Sequence, residues 1–298
     1  MGKKEMRLPE KLGNLAESLR NYGRVAVAFS GGVDSTFLLL FAGEILGEEN
    51  VIAVTAEASN FAPDELLYAK RKAERLGIRH LIVPVTLPER FRANPKDRCY
   101  HCKKSVFAEL MKCLEEAGAE DAAGFVFCDG SNADDRKDYR PVRRAAEELG
   151  VKSPLEEAEL TKEEIREALH ERGEEIWNKP AFACLASRIP YGTEITDDKM
   201  QTVYELEKML RECGYSQVRA RLHDEVVRLE LLPDEMQKLA ADRDLCETLS
   251  ARAASRGFAY TALDLCGYRM GSLNALSAES ASHSQNKYRR EEACYFHH

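Results

Sequence analysis

A short apolar strand that runs straight into a glycine-rich turn and a helix is the feature that most constrains this chain. Residues 25–35 read VAVAFSGGVDS, and an apolar stretch follows over residues 36–46. The run before the glycines predicts a buried strand. The glycines allow a tight turn whose backbone N–H groups converge on an anion at the start of the next helix. Hydroxyl groups of Ser30 and Ser35 add donors, so the segment predicts a nucleotide phosphate site rather than an ordinary strand-to-helix turn.

The SGGVDS segment resembles the loop of the PP-loop ATP pyrophosphatases, which grips pyrophosphate while ATP is split at its α-phosphorus. The chain has no Walker sequence GxxxxGK[ST], so the chemistry implied is adenylyl transfer rather than transfer of the γ-phosphate. Asp34 is the candidate Mg²⁺ ligand, although an aspartate at such a position often only caps the next helix. The expected ATP contacts are Ser30, Gly31, Gly32, Asp34, Ser35 and Asp129.

Strand-like and helix-like segments alternate along the first half of the chain. The alternation predicts an α/β fold with a doubly wound, mostly parallel sheet, of the adenine nucleotide alpha hydrolase-like kind that the PP-loop resemblance implies. Ligands then bind outside the carboxyl ends of the strands, so the glycine loop and the turn 129–135 should face one crevice. The predicted strands are 25–29, 51–55, 80–85 and 124–128, and the predicted helices are 36–46, 64–76 and 103–117.

A different pattern follows residue 196 and predicts a small second domain. Its order is helix 197–212, hairpin strands 216–222 and 226–231, helix 233–256 and strand 258–265, which is typical of an α+β unit with an antiparallel or mixed sheet. Before it, Thr161 and Glu164 have the spacing of a capping box for a helix that ends near Gly173. The domains expected are 1–192 and 193–275, with a disordered tail over 276–298 because that stretch lacks an apolar period.

Composition narrows the function classes. The net charge of −8 argues against a sequence-independent grip on bulk nucleic acid. The charged start MGKKEMRLPE has no apolar signal region, and Glu44 interrupts the longest apolar run, so we expect no membrane segment and a cytoplasmic location. Nine cysteines in irregular spacing do not form a disulfide framework. The cysteines whose spacing fits a ligand motif are candidates for metal-binding or redox-active residues.

Three cysteines stand out as candidate catalytic and metal-ligating residues. Cys99 and Cys102 form a CxxC just before a predicted helix, where the macrodipole and nearby cations should favour the thiolate. Cys184 lies between prolines and near Arg188. A lone CxxC can also be half of a zinc site, but a fourth ligand would be needed, and His101 is badly placed between the two cysteines. We interpret the cysteines on predicted helices and strands as structural: Cys113, Cys128, Cys213, Cys246 and Cys266.

Four motifs in order resemble the LarE family over roughly residues 10–275. They are SGGVDS, RCYHCK at 98–103, DGSNADD at 129–135 and CLASR at 184–188. Members of this family are ATP-dependent sulfur transferases that help to make the nickel-pincer nucleotide cofactor. The resemblance implies the substrate pyridinium-3,5-biscarboxylic acid mononucleotide, whose carboxylates become thiocarboxylates.

The family also implies two alternatives for the sulfur. In its single-cysteine form, the residue matching Cys184 gives up its own sulfur and is left as dehydroalanine. Members with cysteines at the positions of Cys99 and Cys102 hold a [4Fe–4S] cluster on all three. Since this chain has the three, we favour the cluster, although sequence spacing alone does not prove that three thiolates converge.

Candidate substrate-binding residues follow from the same resemblance. Arg219 and Arg221 alternate on a predicted strand and so point to one face, either toward a ligand or as a solvated edge. In the family, a matching arginine pair and a carboxylate near Glu230 contact the substrate phosphate or a metal ion, and residues matching Ser187 and Arg188 lie near the reacting centre.

Two other function classes stay open. A tRNA thiolase of the same superfamily would use the same adenylation, but it should carry a basic RNA-binding module. A non-catalytic nucleotide-binding regulator would keep the loop without turnover. Assembly into a homo-oligomer is expected only by analogy with the family.

Overall fold

The computed structural model describes residues 6–117, 124–137, 140–179 and 184–269. Contacts divide the chain into two compact units, Met1–Cys184 and Leu185–His298. In the first unit the strands are β1 (Arg24–Ala28), β2 (Val51–Glu57), β3 (Arg79–Pro84) and β4 (Phe125–Cys128). The helices are α1 (Leu8–Tyr22), α2 (Val33–Leu46), α3 (Pro63–Arg75), α4 (Glu89–Arg92), α5 (Arg98–Glu116), α6 (Arg140–Glu148), α7 (Pro154–Glu157) and α8 (Lys162–Glu171).

The sheet of the first unit is parallel and doubly wound, as the alternation predicted. Its order among the described residues is β3-β2-β1-β4, with every neighbouring pair parallel. β1 therefore lies inside the sheet, and the winding reverses between β1 and β4. Ligands of open α/β sheets bind at this reversal, outside the carboxyl ends of the strands.

Both faces of this sheet are buried, which explains the continuous apolar character of β1. Val25 and Val27 pack on one face with the apolar side chains of α1, α2 and α8. Ala26 packs on the other face with the apolar side of α5, including Phe107 and Leu110. Side chains of a strand alternate between faces, so a strand covered by helices on both sides needs apolar residues at every position.

The second unit is a small α+β fold. Its elements are α9 (Asp197–Glu212), β5 (Arg219–His223), β6 (Val226–Glu230), α10 (Pro233–Ala241), α11 (Arg243–Ser255) and β7 (Tyr260–Leu263). β5 and β6 form an antiparallel hairpin, and β7 pairs parallel to β6, so the sheet is mixed. The two-residue hairpin turn places Asp224 at φ 45°, a left-handed conformation that aspartate tolerates better than most residues.

Two helix predictions were wrong in their limits. Residues 233–256 form two helices instead of one, because the Asp242 side chain accepts a hydrogen bond from Leu245 N and starts a new helix. The helix predicted from residue 103 begins at Arg98. Its first turn is fixed by Tyr100, which is buried and donates from its hydroxyl to Glu148 at 2.8 Å. The CxxC therefore lies within the first five residues of α5 and not in front of it.

The division between the units falls eight residues before the predicted boundary at 192. Arg188 explains why: its side chain has no exposure to solvent and pairs with Glu207 on α9, so the segment that carries it packs with the second unit. The functional limits 1–192 and 193–275 stay predictions, and residues 276–298 lie outside the described part of the chain. None of the described helices is long and apolar enough to span a membrane.

The predicted capping box at the start of α8 is confirmed. Thr161 Oγ1 accepts from Glu164 N at 3.3 Å, and Glu164 accepts from Thr161 N at 2.8 Å. The Glu164 carboxylate also binds the buried Lys11 ammonium at 2.8 Å. The cap thus attaches α8 to α1 across the core.

We expect Thr161→Ala to lower the free energy of unfolding by about 1 kcal/mol, because the helix loses a side-chain cap. Urea denaturation measures the change. Thr161→Ser, which keeps the hydroxyl, is the control and should lose much less. An equal loss in both variants would show that the cap contributes nothing.

Candidate active site

The glycine loop places hydroxyl and backbone donors together at the carboxyl end of β1. Ser30 Oγ and Ser35 Oγ lie 3.0 Å apart, and Gly32 N donates to Ser30 Oγ at 3.3 Å. Gly31 adopts φ 72°, which a residue with a side chain rarely takes. Within the described residues no side chain caps α2, whose N-cap is Gly32. The positive end of the α2 dipole therefore faces the loop, as an anion site requires.

The turn after β4 lies directly against this loop. A Cβ placed on Gly130 would be 2.9 Å from the backbone nitrogen of Ser35. Because a methyl group at that distance overlaps the backbone, only glycine lets the turn approach so closely. The predicted meeting of the loop and the turn 129–135 is thus confirmed.

Asp129 organises the turn. Its carboxylate accepts from Lys103 Nζ, Ser131 Oγ and Ser153 Oγ, each at 2.8 Å. Burial opposes the charge of this carboxylate, but Lys103 and the hydroxyl donors hold its pKa below the ordinary value. Asp129 therefore fixes the lysine and the turn beside the loop, whereas its direct contact with ATP stays a prediction.

Asp34 does not cap α2, which was the alternative to a metal-binding role. Its Oδ2 atom pairs with Lys162 Nζ, while Oδ1 is buried and has no hydrogen-bond partner in the part of the chain that the structure describes. Burial raises the pKa of Asp135, and the negative charge of the nearby Asp34 raises it further. A buried carboxylate oxygen beside a second carboxylate is an arrangement that a hard cation satisfies.

Two of the three candidate cysteines meet at one buried amide, and the third lies close to them on α5. Asn60, in the connection between β2 and α3, places its Nδ2 atom 3.6 Å from Cys102 Sγ and 3.4 Å from Cys184 Sγ. Cys99 lies one helical turn before Cys102 on α5. The fold therefore brings together cysteines that are more than eighty residues apart in the chain.

The expectation that the helix dipole and nearby cations would favour thiolates at Cys99 and Cys102 is wrong. Burial raises the pKa of the Cys102 thiol to about 12, and the neighbouring Cys184 and Cys99 add to the shift. Cys99 is exposed, yet the protein around its thiol still desolvates it enough to raise its pKa, and Cys184 contributes again. Burial, and after it the proximity of the other cysteines, opposes ionisation of these thiols, and at Cys99 the two together outweigh the Arg98 cation.

No single-ion site accompanies this convergence. Within residues 6–117, 124–137, 140–179 and 184–269, no three His, Cys, Asp or Glu side chains are placed to ligate one metal ion. His101 instead pairs with Asp97 at 3.2 Å. The arrangement gives no support to a zinc centre, which needs four ligands around one point.

The candidate substrate residues of the second unit form a buried polar network, not a solvated edge. Arg221 donates to Glu230 Oε2 at 3.0 Å and to the Ser187 carbonyl at 2.9 Å. Arg188 makes a two-point ion pair with Glu207, both contacts at 2.8 Å.

Arg219, on the same face of β5 as Arg221, is also buried, and its guanidinium lies 5.4 Å from the Tyr268 ring centroid. Burial and the positive charge of Arg188 lower the pKa of Arg219. Several guanidinium groups held this close inside a protein are unfavourable to one another, and an anionic ligand offsets that repulsion.

Sequence reasoning missed five residues of the first unit. Lys103 follows the CxxC directly and Gly130 lies within the DGS motif, so both had a local signal. Lys179, whose Nζ donates to the Gly31 carbonyl at 3.1 Å, had none. Lys162 and Asn60 also had none, since their roles depend on contacts with residues far along the chain.

Fold and site together define a PP-loop ATP-dependent enzyme, and known proteins agree. The asparagine synthase family profile matches residues 14–112, which contain the glycine loop and the CxxC. A shorter match, 34% identical over 34% of this chain and 37% of the relative, is an NH(3)-dependent NAD(+) synthetase of Chlorobaculum tepidum.

Two relatives cover nearly the whole chain. The pyridinium-3,5-bisthiocarboxylic acid mononucleotide synthase of Lactiplantibacillus plantarum is 35% identical over 90% of this chain and 95% of its own length. An uncharacterised protein of Synechocystis is 40% identical over 90% of this chain and 98% of its own length. The chain belongs to the LarE family of PP-loop ATP-dependent sulfur transferases.

We expect Gly130→Ala to weaken ATP binding by about tenfold or more, equivalent to at least ~1.4 kcal/mol, because the added methyl group pushes the turn away from the Ser35 backbone. Calorimetry with a non-hydrolysable ATP analogue measures the affinity. Gly13→Ala, on α1 with no atom within 4 Å of the added carbon, is the control. Parental affinity in Gly130→Ala would show that the turn takes no part in the nucleotide site.

Proposed function

We propose that this protein adenylylates a carboxylate of pyridinium-3,5-biscarboxylic acid mononucleotide and replaces one of its oxygens with sulfur, in the synthesis of the nickel-pincer nucleotide. The observation that carries the proposal is the meeting of Cys102 and Cys184 at Asn60, in the same unit as an ATP-type loop. The substrate in this proposal is inferred from the name of the L. plantarum relative, which states the bisthiocarboxylic product.

Activation by ATP answers the main chemical difficulty. A carboxylate is a poor electrophile with no good leaving group. In the proposed reaction a carboxylate oxygen attacks the α-phosphorus of ATP. The bond between the α-phosphorus and the oxygen that bridges to the β-phosphorus breaks. Pyrophosphate departs with that oxygen, and the substrate is now an acyl adenylate. Ser30, Gly32 and Ser35 hold the departing pyrophosphate through hydroxyl and backbone donors at the α2 terminus.

Mg²⁺ fits the carboxylates beside the loop. Asp34, with its buried and unsatisfied Oδ1 atom, would hold the ion, and Asp135 lies close enough to assist. When bound, the ion offsets the negative charge that collects on the leaving pyrophosphate. Lys162 holds the other oxygen of Asp34, and Lys179 holds the Gly31 carbonyl, so the loop keeps its shape as charge builds up.

Sulfur enters at the activated carbonyl carbon: the carbon–sulfur bond forms, the bond to AMP breaks, and AMP leaves with the electron pair. The donor set of Cys99, Cys102 and Cys184 fits a [4Fe–4S] cluster, because each thiolate binds its own iron and the sulfurs need not meet at one point. Held by these three thiolates, such a cluster would supply the sulfide that attacks the activated carbon. Sacrifice of the Cys184 sulfur, leaving dehydroalanine, is the second candidate, favoured by the single-cysteine form of the family.

The arginine-rich network of the second unit is the proposed site for the substrate phosphate. Arg219 and Arg221 supply the positive charge, and Glu230 holds Arg221 in place. Ser187 and Arg188 lie three and four residues after Cys184 along the chain, which is consistent with a role near the reacting carboxylate.

The remaining expectations belong to the same proposal. A small-molecule substrate, a cytoplasmic location and possible homo-oligomers follow from the family, and the net charge of −8 speaks against bulk tRNA as the substrate.

We expect turnover to give AMP and pyrophosphate in equal amounts, and only when the pyridinium substrate is present. Chromatography of nucleotides and an enzymatic pyrophosphate assay measure both products, with bulk tRNA tested in parallel. Turnover with tRNA alone would identify a tRNA thiolase, and turnover with neither would favour the regulator. Stoichiometric ADP and phosphate would contradict adenylylation.

We expect Cys99→Ala, Cys102→Ala and Cys184→Ala each to abolish the visible absorption of the anaerobically reconstituted cluster together with sulfur transfer. Cys213→Ala, which changes an exposed cysteine of the second unit, is the control and should keep both. If Cys184 is sacrificed instead, Cys99→Ala and Cys102→Ala should retain one turnover. Mass spectrometry should then find the Cys184 peptide short of the elements of hydrogen sulfide.

A further inference from the structure

The Asn60 side chain contacts two of the three cysteines, and neither the loop chemistry nor the sequence motifs account for it. It is 1% exposed. Its Nδ2 atom lies within hydrogen-bonding distance of Cys102 Sγ and Cys184 Sγ, while its Oδ1 atom is buried and has no partner among the described residues. A buried amide with half of its polar atoms unsatisfied is unfavourable for stability, so its presence calls for a functional reason.

The direction of these contacts matters. A thiol can donate a weak hydrogen bond, but a thiolate bound to a metal has no S–H left and can only accept. The amino group of Asn60 carries two N–H bonds, one for each sulfur. The amide is therefore placed to suit the two sulfurs when they are metal-bound thiolates.

We propose that Asn60 is a positioning residue that donates its two amide N–H groups to the Cys102 and Cys184 thiolates, and so retains the iron–sulfur cluster and raises its reduction potential. This inference rests on the proposed function, since it requires the cluster. N–H donors withdraw electron density from ligating sulfurs, which favours the reduced cluster, and outer-shell partners of metal ligands commonly change metal retention by roughly 10–100-fold.

The backbone around Asn60 is suited to this role. The residue belongs to a tight connection in which Phe61 N donates to the Ala58 carbonyl at 3.1 Å, between the end of β2 and the start of α3. Cys102 is on α5, whereas Cys184 lies more than eighty residues further along the chain. Asn60 thus holds two thiolates that no common element fixes.

The test compares Asn60→Ala and Asn60→Asp with the parent after identical anaerobic reconstitution. Asparagine and aspartate have the same shape, so Asn60→Asp removes the donors without leaving a cavity and places a negative oxygen against the sulfurs. We expect iron release to a chelator to be about tenfold faster or more in Asn60→Ala, and faster still in Asn60→Asp. We expect the reduction potential to move to more negative values in both.

Asn50→Ala is the matched control. Asn50 directly precedes β2, at the opposite end of the strand from Asn60, and its Nδ2 atom donates to the Leu46 carbonyl at 2.8 Å. This variant should release iron at the parental rate. ATP-analogue affinity, measured in every variant, reports whether the first unit is still folded.

The outcomes separate the inference from the proposed function. A parent that takes up iron and sulfide while both Asn60 variants keep its potential and release rate would overturn the role of Asn60 alone. A parent that holds no cluster after reconstitution, but binds the ATP analogue, would overturn the cluster and Asn60 together. Faster iron release in Asn60→Asp than in Asn50→Ala, with ATP-analogue binding intact, supports the inference.

Discussion

The parallel pairing of β1 with β2 on one side and β4 on the other is the constraint on which the first unit depends. It aligns the carboxyl ends of three strands. From those ends emerge the glycine loop, the connection that carries Asn60, and the turn that begins at Asp129. Each follows directly from a strand of this sheet. The functional groups are therefore positioned by the apolar core beneath them, although they make few apolar contacts themselves.

Lys103 and its neighbour Cys102 connect the nucleotide loop with the sulfur site. Both residues lie near the start of α5, where adjacent side chains point in different directions. Lys103 reaches the Asp129 carboxylate, whereas Cys102 lies against Asn60. One helical turn thus serves both halves of the proposed reaction, and its position on the sheet sets their separation.

Buried charge recurs in both units and is compensated locally. Asp129 receives a lysine and two hydroxyl groups, and Arg188 receives a two-point partner in Glu207. Such groups are strongly unfavourable when unpaired, and an uncharged replacement often serves stability as well. The Asp129 carboxylate holds Lys103 beside the loop, and in the proposed function the guanidinium groups supply positive charge for the substrate phosphate.

The sequence by itself determined the strand–loop–helix unit, the doubly wound sheet, the capping box at Thr161 and the family, because each depends on residues close together in the chain or on motifs in a fixed order. It did not determine where α5 begins, since that depends on the contact of Tyr100 with Glu148. Nor did it reveal Asn60, Lys162 or Lys179, or the raised pKa values of Cys99 and Cys102. Those follow from distant segments that share one low-dielectric space, and only the tertiary structure decides which groups are close enough there to donate, pair or repel.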